Sequence, residues 1–367
     1  MSLAEELVNE ILTRLPAKSL MRFKSVERSW NTLFKTNSFI RIQKERQMNE
    51  DRVIIFYNET GIYDLPKITV VSTCDPPQYE TLEFPISHLN YCLMEHITSG
   101  YCNGIYCLEA VFGCNYRETN HQYITETVLW NPTTREAKVI PNNPLAPTGN
   151  FMCHSGLGVS DPNTFDQFKY IQIYIAGAGA DNEYDVVYVE LYDLNTQSWF
   201  VIHDIHVTRL KSSLLAPGSY SNGLCHWLSL DFTFILCFDF HSNKFRTIKS
   251  PLTTQFCRII EPNNCIAYLV YETDYDYDPP RHIIQIWNLE QDDTWVKRCN
   301  IVAADEYVTI CAILKDYTEF IGEPLYYYMP LYNSRGQLLR QFQIPARQHI
   351  GIYDYVETIA PLSLYII

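Results

Sequence analysis

The chain has no run of 18 uncharged apolar residues, so no segment reads as a membrane-spanning helix. Its N-terminus lacks a basic stretch followed by an apolar core, so no signal peptide is expected. The 12 cysteines include no C-x-x-C pair, which excludes zinc ribbons and dithiol redox motifs. Several sit in strand-like runs such as Ile235-Leu236-Cys237-Phe238, where a free thiol acts as a small apolar residue. Reduced thiols in a cytoplasmic protein, with the nucleus as a second compartment, are the expectation. Asn58-Glu59-Thr60 has the form of a glycosylation sequon, but without a secretory route it is idle.

Catalytic signatures are missing too. There is no G-x-S-x-G elbow, no P-loop and no H-E-x-x-H. Gly177-Ala178-Gly179 follows a strand-like run, but the third glycine of a dinucleotide fingerprint would fall on Asn182, so a loop is the better reading. His203 and His206 have no third ligand nearby in sequence. Asp292-Asp293 and Asp305-Glu306 read as solvated loop acids rather than an acid/base pair. No enzyme activity, metal or cofactor is expected.

Positive charge is scarce: 28 Lys and Arg face 42 Asp and Glu, a net charge of −14. Residues 1–50 hold 9 basic and 6 acidic residues, +3, which leaves −17 on the remainder. An acidic domain does not suit nucleic acid. It favours solubility and can steer a basic protein partner.

At 367 residues, one small and one large domain is the natural division. Near the N-terminus Leu3, Leu7 and Ile11 fall four apart, as do Val8 and Leu12, with Leu15 beyond: one apolar stripe on a helix. Pro16 ends it. Ser19 is placed to cap a second helix with Phe23, Val26, Trp30 and Leu33 on its apolar face. A third short helix carries Phe39, Ile40 and Ile42. Three short helices bury little alone, so the stripe needs a partner.

After a linker over 46–52 the pattern turns to β from residue 53 to 367. Runs such as Tyr170–Ile175 read as buried strands. An aromatic residue followed by Asn or Asp and a polar turn recurs at Trp130-Asn131, Tyr192-Asp193, Phe238-Asp239, Trp287-Asn288 and Tyr332-Asn333. Trp199, Phe245 and Trp295 follow six or seven positions after the Asx of their repeat, with Ala137 and Leu339 in weaker copies. Each is a hairpin whose Asx side chain can bond backbone two residues on. The gaps of 62, 46, 49 and 45 residues point to four-stranded propeller blades. Tyr63-Asp64 is a faint sixth copy. Asn103-Gly104 and Asn222-Gly223 predict tight hairpins on inner strands. Ile350–Val356 would close the ring against the first blade. The predicted fold is a small three-helix domain followed by an all-β, propeller-like domain of about six blades, with a β-sandwich as the alternative.

One loop stands out: Tyr271-Glu272-Thr273-Asp274-Tyr275-Asp276-Tyr277-Asp278-Pro279-Pro280 alternates acid and tyrosine. Tyrosine anchors interfaces, and the acids would attract Lys or Arg. Asp181, Glu183, Tyr184 and Asp185 form a second such segment. Both also read as plain solvated loops.

Leu3 to Trp30 resembles an F-box of the plant type across nearly its whole length, with Leu3-Ala4 where the family usually has Leu-Pro. Leu129-Trp130-Asn131-Pro132-Thr133-Thr134-Arg135, Tyr101-Cys102-Asn103-Gly104, His226-Trp227 and Ile235–Asp239 resemble the F-box-associated domain. Lys18–Lys24 is similar to the S-locus F-box group of pollen self-incompatibility. The resemblance implies a substrate receptor of a Skp-cullin-F-box ubiquitin ligase. The F-box, residues 1–45, would bind a Skp-family adaptor through Leu3, Ile11, Leu12, Leu15, Pro16, Ser19, Leu20 and Val26. The β domain would capture a protein for degradation, non-self S-ribonucleases in the subgroup reading. A ligand- or glycan-binding propeller with no ligase role is the alternative.

Overall fold

The computed structural model describes residues 3–47, 51–58, 66–86, 91–114, 123–147, 151–165, 167–176, 184–203, 209–210, 214, 218–254, 256–262, 265–277, 280–303, 308–323, 327–344 and 348–362.

The helical segment holds four helices rather than three: α1 (Leu3–Thr13), α2 (Ala17–Phe23), α3 (Arg28–Leu33) and α4 (Asn37–Gln47). The expected second helix breaks in the middle. Lys24 to Val26 form a turn, and Glu27 is extended with its carboxylate accepting from the Ser29 amide at 3.3 Å. Glu27, not Ser19, is the capping side chain here. Ser19 lies inside α2, which starts after Pro16. The break turns Val26 out to solvent, away from the face it would share with Trp30.

The rest is a ring of six four-stranded antiparallel blades. Blade 1 comprises β1 (Arg52–Asn58), β2 (Lys67–Ser72) and β3 (Gln78–Leu82). Blade 2 comprises β4 (Tyr91–Cys102), β5 (Ile105–Cys114), β6 (Tyr123–Trp130) and β7 (Ala137–Ile140). Blade 3 comprises β8 (Phe151–Val159), β9 (Phe168–Ala176), β10 (Tyr184–Asp193) and β11 (Ser198–Val201), with β12 (Arg209–Leu210) pairing the start of β10. Blade 4 is β13 (Ser219–Ser221), β14 (Leu224–Leu228), β15 (Phe234–Asp239) and β16 (Lys244–Lys249). Blade 5 is β17 (Cys257–Ile260), β18 (Ala267–Asp274), β19 (Arg281–Leu289) and β20 (Trp295–Ala303). Blade 6 is β21 (Ile310–Leu314), β22 (Glu319–Gly322), β23 (Tyr328–Asn333) and β24 (Leu338–Gln343). The last strand, β25 (Gln348–Asp354), pairs with β1 as the innermost strand of blade 1. One blade built from both ends of the β domain closes the ring, and each blade keeps an outer edge strand of four to nine residues.

The five aromatic-Asx pairs fall at one place in blades 2 to 6, at or near the end of the third strand. In four of them the Asx oxygen accepts turn amides: Asn131 from Thr133 (2.9 Å), Asp193 from Asn195 (2.8 Å), Asp239 from His241 (2.8 Å) and Asn333 from Arg335 (2.9 Å). Blade 5 departs. A register shift after Ile286 sets Trp287 opposite Lys297 instead of Trp295, and Asp292 bonds the turn amide of Thr294 in place of Asn288. Two outer-strand tryptophans tie neighbouring blades. Trp199 donates to the Pro141 carbonyl (2.8 Å) and Trp295 to the Lys249 carbonyl (2.9 Å). Tyr63-Asp64 lies outside the described residues.

Asn103-Gly104 and Asn222-Gly223 turn between first and second strands with φ of 53° and 83°, and 49° and 86°. The positive φ at both positions is that of the tight hairpin turn that Asn-Gly favours.

Candidate functional site

The helices and the blades share one core. Leu12, Ala17, Leu20, Phe34, Phe39 and Ile40 cluster with Cys102, Ile105, Leu129, Leu157 and Ile359 of the propeller. Arg46 of α4 clamps α1 through both carboxylate oxygens of Glu10, at 2.9 Å each. Hydrogen bonds from Arg14 and Arg46 hold the Glu10 carboxyl below its usual range.

Polar bonds fix where the helices sit. Lys44 donates to Asn103 Oδ1 (2.7 Å) and lies over the Phe165 ring. Burial pushes the Lys44 ammonium pKa down. Asn37 Oδ1 accepts from the Phe165 amide (3.1 Å), and the Ala17 amide donates to Glu357 (3.3 Å). Glu357 also pairs with Arg52 (2.5 Å), and Asn131 Nδ2 holds the Thr358 and Ala360 carbonyls. Asn103 and Phe165 lie in connections between first and second strands. The chain reverses at every turn of a blade, so these connections and the third-to-fourth turns share one face. The helices cover part of that face. Lys44, Asn37 and Glu357 carry no local sequence signal for this role.

The outer side of the helical segment remains apolar. Ile11 is 59% exposed, Leu7 58% and Val26 66%. Leu7 and Ile11 are one turn apart on α1, and Val8 is exposed beside them. Of the residues the F-box resemblance assigns to adaptor contact, Ile11, Pro16 and Val26 are exposed, and Leu15 and Ser19 are half-buried. Leu12 and Leu20 are buried in the shared core. Leu3 lies in α1, but its side chain is outside the described residues.

The acidic-aromatic loop joins β18 to β19, second strand to third, and so lies on the face opposite the helices. Tyr271 is not part of its surface: it is buried in β18, and its hydroxyl accepts from the Ile310 amide (3.1 Å). Asp274 bonds the Asp276 amide (3.0 Å). Tyr277 already carries a cation, the Arg281 guanidinium 3.7 Å from its ring centre. What stays available is Tyr275, 79% exposed, together with Asp276 and the nearby exposed Phe256. Phe256, Asp274, Tyr275 and His282 line one shallow groove. Asp278 lies outside the described residues, as do Asp181, Glu183 and His206. Tyr184 and Asp185 start β10 on the same far face, and their side chains are likewise outside.

Inner strands β4, β13, β17, β21 and β25 surround an axial cavity of about 350 Å³. Arg258, Glu261 and Asp354 are its charged lining. Burial pushes the Glu261 carboxyl well above its usual range and Asp354 up to about 7.

Residues 1–42 match the F-box domain family, and residues 101–318 match the family described as F-box associated beta propeller domain. Among curated relatives, the chain is 26% identical over 276 residues to the "Putative F-box protein At3g23260" of Arabidopsis thaliana, covering 72% of this chain and 70% of that one. It is 29% identical over 254 residues to "F-box/LRR-repeat/kelch-repeat protein At2g27520" of the same plant, covering 68% and 61%. It is also 27% identical over 259 residues to "Putative F-box protein At3g10430", covering 68% and 62%. The chain thus spans less than two thirds of the length of several of these relatives. Among solved structures, the "Crystal structure of Nidogen/Laminin Complex" aligns with a TM-score of 0.40 at 10% identity, over 84% of this chain and 99% of that one. With helices that match one family and a ring that matches the other across more than half its length, the chain belongs to the plant F-box proteins that carry an F-box-associated β-propeller domain.

Proposed function

We propose that the chain is the substrate-recognition subunit of a Skp-cullin-F-box ubiquitin ligase. The observation that carries this reading is the division of the helical segment. One side is anchored in the propeller core, and the other presents Leu7, Val8, Ile11 and Val26 to solvent. Exposed apolar side chains grouped on so short an element suit a protein partner. A Skp-family adaptor would take that side, through Leu3, Leu7, Ile11, Leu15, Pro16, Ser19 and Val26. Leu12 and Leu20 would act indirectly, by holding the helices in place. The chain would carry no chemistry of its own and would place a target for ubiquitin transfer by other subunits, in the cytoplasm or nucleus.

The target would meet the far face, about one propeller thickness from the adaptor. Tyr275, Asp276 and Asp274 are the proposed anchors for a basic protein, and Asp278, Asp181, Glu183, Tyr184 and Asp185 are further proposed contacts. S-ribonucleases are the subgroup candidate. The net charge of −17 outside residues 1–50 supports a basic partner. The axial cavity favours a second reading, a ligand-binding propeller.

Co-purification with a Skp-family adaptor tests the first reading. Wild type forms a stoichiometric complex, and Ile11→Asp abolishes it with unchanged circular dichroism, because a charge is forced into an apolar contact. A wild-type chain that binds no adaptor defeats the reading.

A further inference from the structure

Arg258, Glu261 and Asp354, the titratable residues with charge-bearing side chains that line the axial cavity, have few hydrogen-bond partners there. Arg258 lies near the start of β17, toward the far face. Among the described residues its only hydrogen-bond partner is the Cys311 thiol at 3.9 Å. A guanidinium has five donors, and a thiol is a weak acceptor. Three residues on, roughly 10 Å along an extended strand, comes Glu261. One of its oxygens accepts from the Tyr220 amide at 3.0 Å. Asp354, the last residue of β25, has a buried Oδ1 with no hydrogen-bond partner. Burial, and then the Asp354 charge, raise the cost of ionising Glu261; burial, and then Asp51, do so for Asp354. Both acids stand at the helix-side end of the cavity. The cation that acts on Glu261 is Lys44, already bonded to Asn103. The cavity therefore has an anion-seeking mouth at Arg258 and a floor of two buried acids that a nearby ammonium would help ionise, in a space whose volume falls in the ligand-pocket range.

We propose that this cavity is a binding site for a small zwitterion of amino-acid to dipeptide size, its carboxylate on Arg258 and its ammonium between Glu261 and Asp354. The geometry offers a planar donor fork to a carboxylate, which suits bidentate binding. An ammonium at the floor would supply the donor that Asp354 Oδ1 lacks. A purely anionic ligand would leave Asp354 Oδ1 without a donor, and a purely cationic one would leave Arg258 with its thiol as hydrogen-bond partner. The site does not depend on adaptor docking: Ile11→Asp, which breaks docking, leaves it intact.

The test is calorimetric titration of the full-length chain with glycylglycine, 4-aminobutanoate and 6-aminohexanoate, against hexanoate and hexylammonium as one-ended controls. At least one zwitterion binds saturably, and each one-ended control is at least about tenfold weaker, as expected when one charged contact is lost. Arg258→Gln reduces zwitterion affinity to the level of hexylammonium, and Arg258→Lys restores part of it. The comparison among ligands needs no variant, so it stands if Arg258→Gln misfolds. No saturable binding by any of the three zwitterions overturns the proposal. So does hexanoate binding as tightly as 6-aminohexanoate, or an affinity unchanged in folded Arg258→Gln.

Discussion

The helical segment and the propeller reach stability by different routes. The propeller closes on itself. β25 supplies the strand that blade 1 lacks, Asx turns recur in successive blades, and Trp199 and Trp295 each tie their blade to the one before. The helices close on the propeller instead. Leu12, Ala17 and Leu20 point into a core they share with blades 2 and 3 and the C-terminal segment. Four short helices with one side left apolar need the propeller to complete their core. The F-box is thus built into the β domain and is not a detachable tag. Deleting residues 1–45 would strip part of the propeller's core along with the docking surface, so point substitutions are the cleaner probes.

The hardest way to break this contrast is truncation before Gln348. It removes the closing strand and the 355–362 segment under the helices. Cooperative unfolding is expected to be lost, as read by thermal circular dichroism. If the helices were independent, adaptor binding would survive. Next comes Leu12→Asp, which buries an unpaired carboxylate and costs at least about 4 kcal/mol in denaturant titration. Ile11→Asp, one residue away, leaves stability within about 0.5 kcal/mol while adaptor binding falls at least 100-fold, about 2.7 kcal/mol or more. Equal effects of the two substitutions would erase the distinction between the two sides of α1.

A smaller effect separates the cavity from the surface. Burial holds the Asp354 carboxyl at about 7, while an unfolded aspartate ionises near 3.9. Between those values the folded chain keeps a proton that the unfolded chain has released. Stability from this group is present at low pH and is lost as pH rises through about 7. Asp354→Asn therefore melts higher than wild type at about pH 8, and the gain vanishes near about pH 4. A pH-independent difference would show that the group titrates normally. Least of all in stability, Tyr275→Ala changes unfolding by under about 0.5 kcal/mol, yet weakens target capture in a pull-down. Unchanged capture would remove the loop from the proposed target face.

Repeats were legible because they are local. Trp130-Asn131 and its four relatives mark the same turn in successive blades, and four of the five side chains make the expected bond. The fifth is displaced by a register shift in β19 and β20, a property of strand pairing that no single hairpin sequence shows. The break between α2 and α3 was missed because Phe23, Val26, Trp30 and Leu33 keep helical spacing across it. A continuous helix and a broken one give the same pattern. Within the acidic loop, sequence marked Tyr271 as an anchor, but strand alternation buries it. It also marked Tyr277, whose ring is already covered by Arg281 across the hairpin.

Composition, spacing and turn chemistry by themselves determined the order of the chain: apolar-striped helices first, then blades with a returning strand. These are properties of neighbours in sequence. Only the tertiary structure decided which side of α1 is core, that Lys44 pins the helices to a blade turn, and that Arg258, Glu261 and Asp354 face one cavity. Those depend on contacts between residues up to hundreds of positions apart, where local periodicity carries no information.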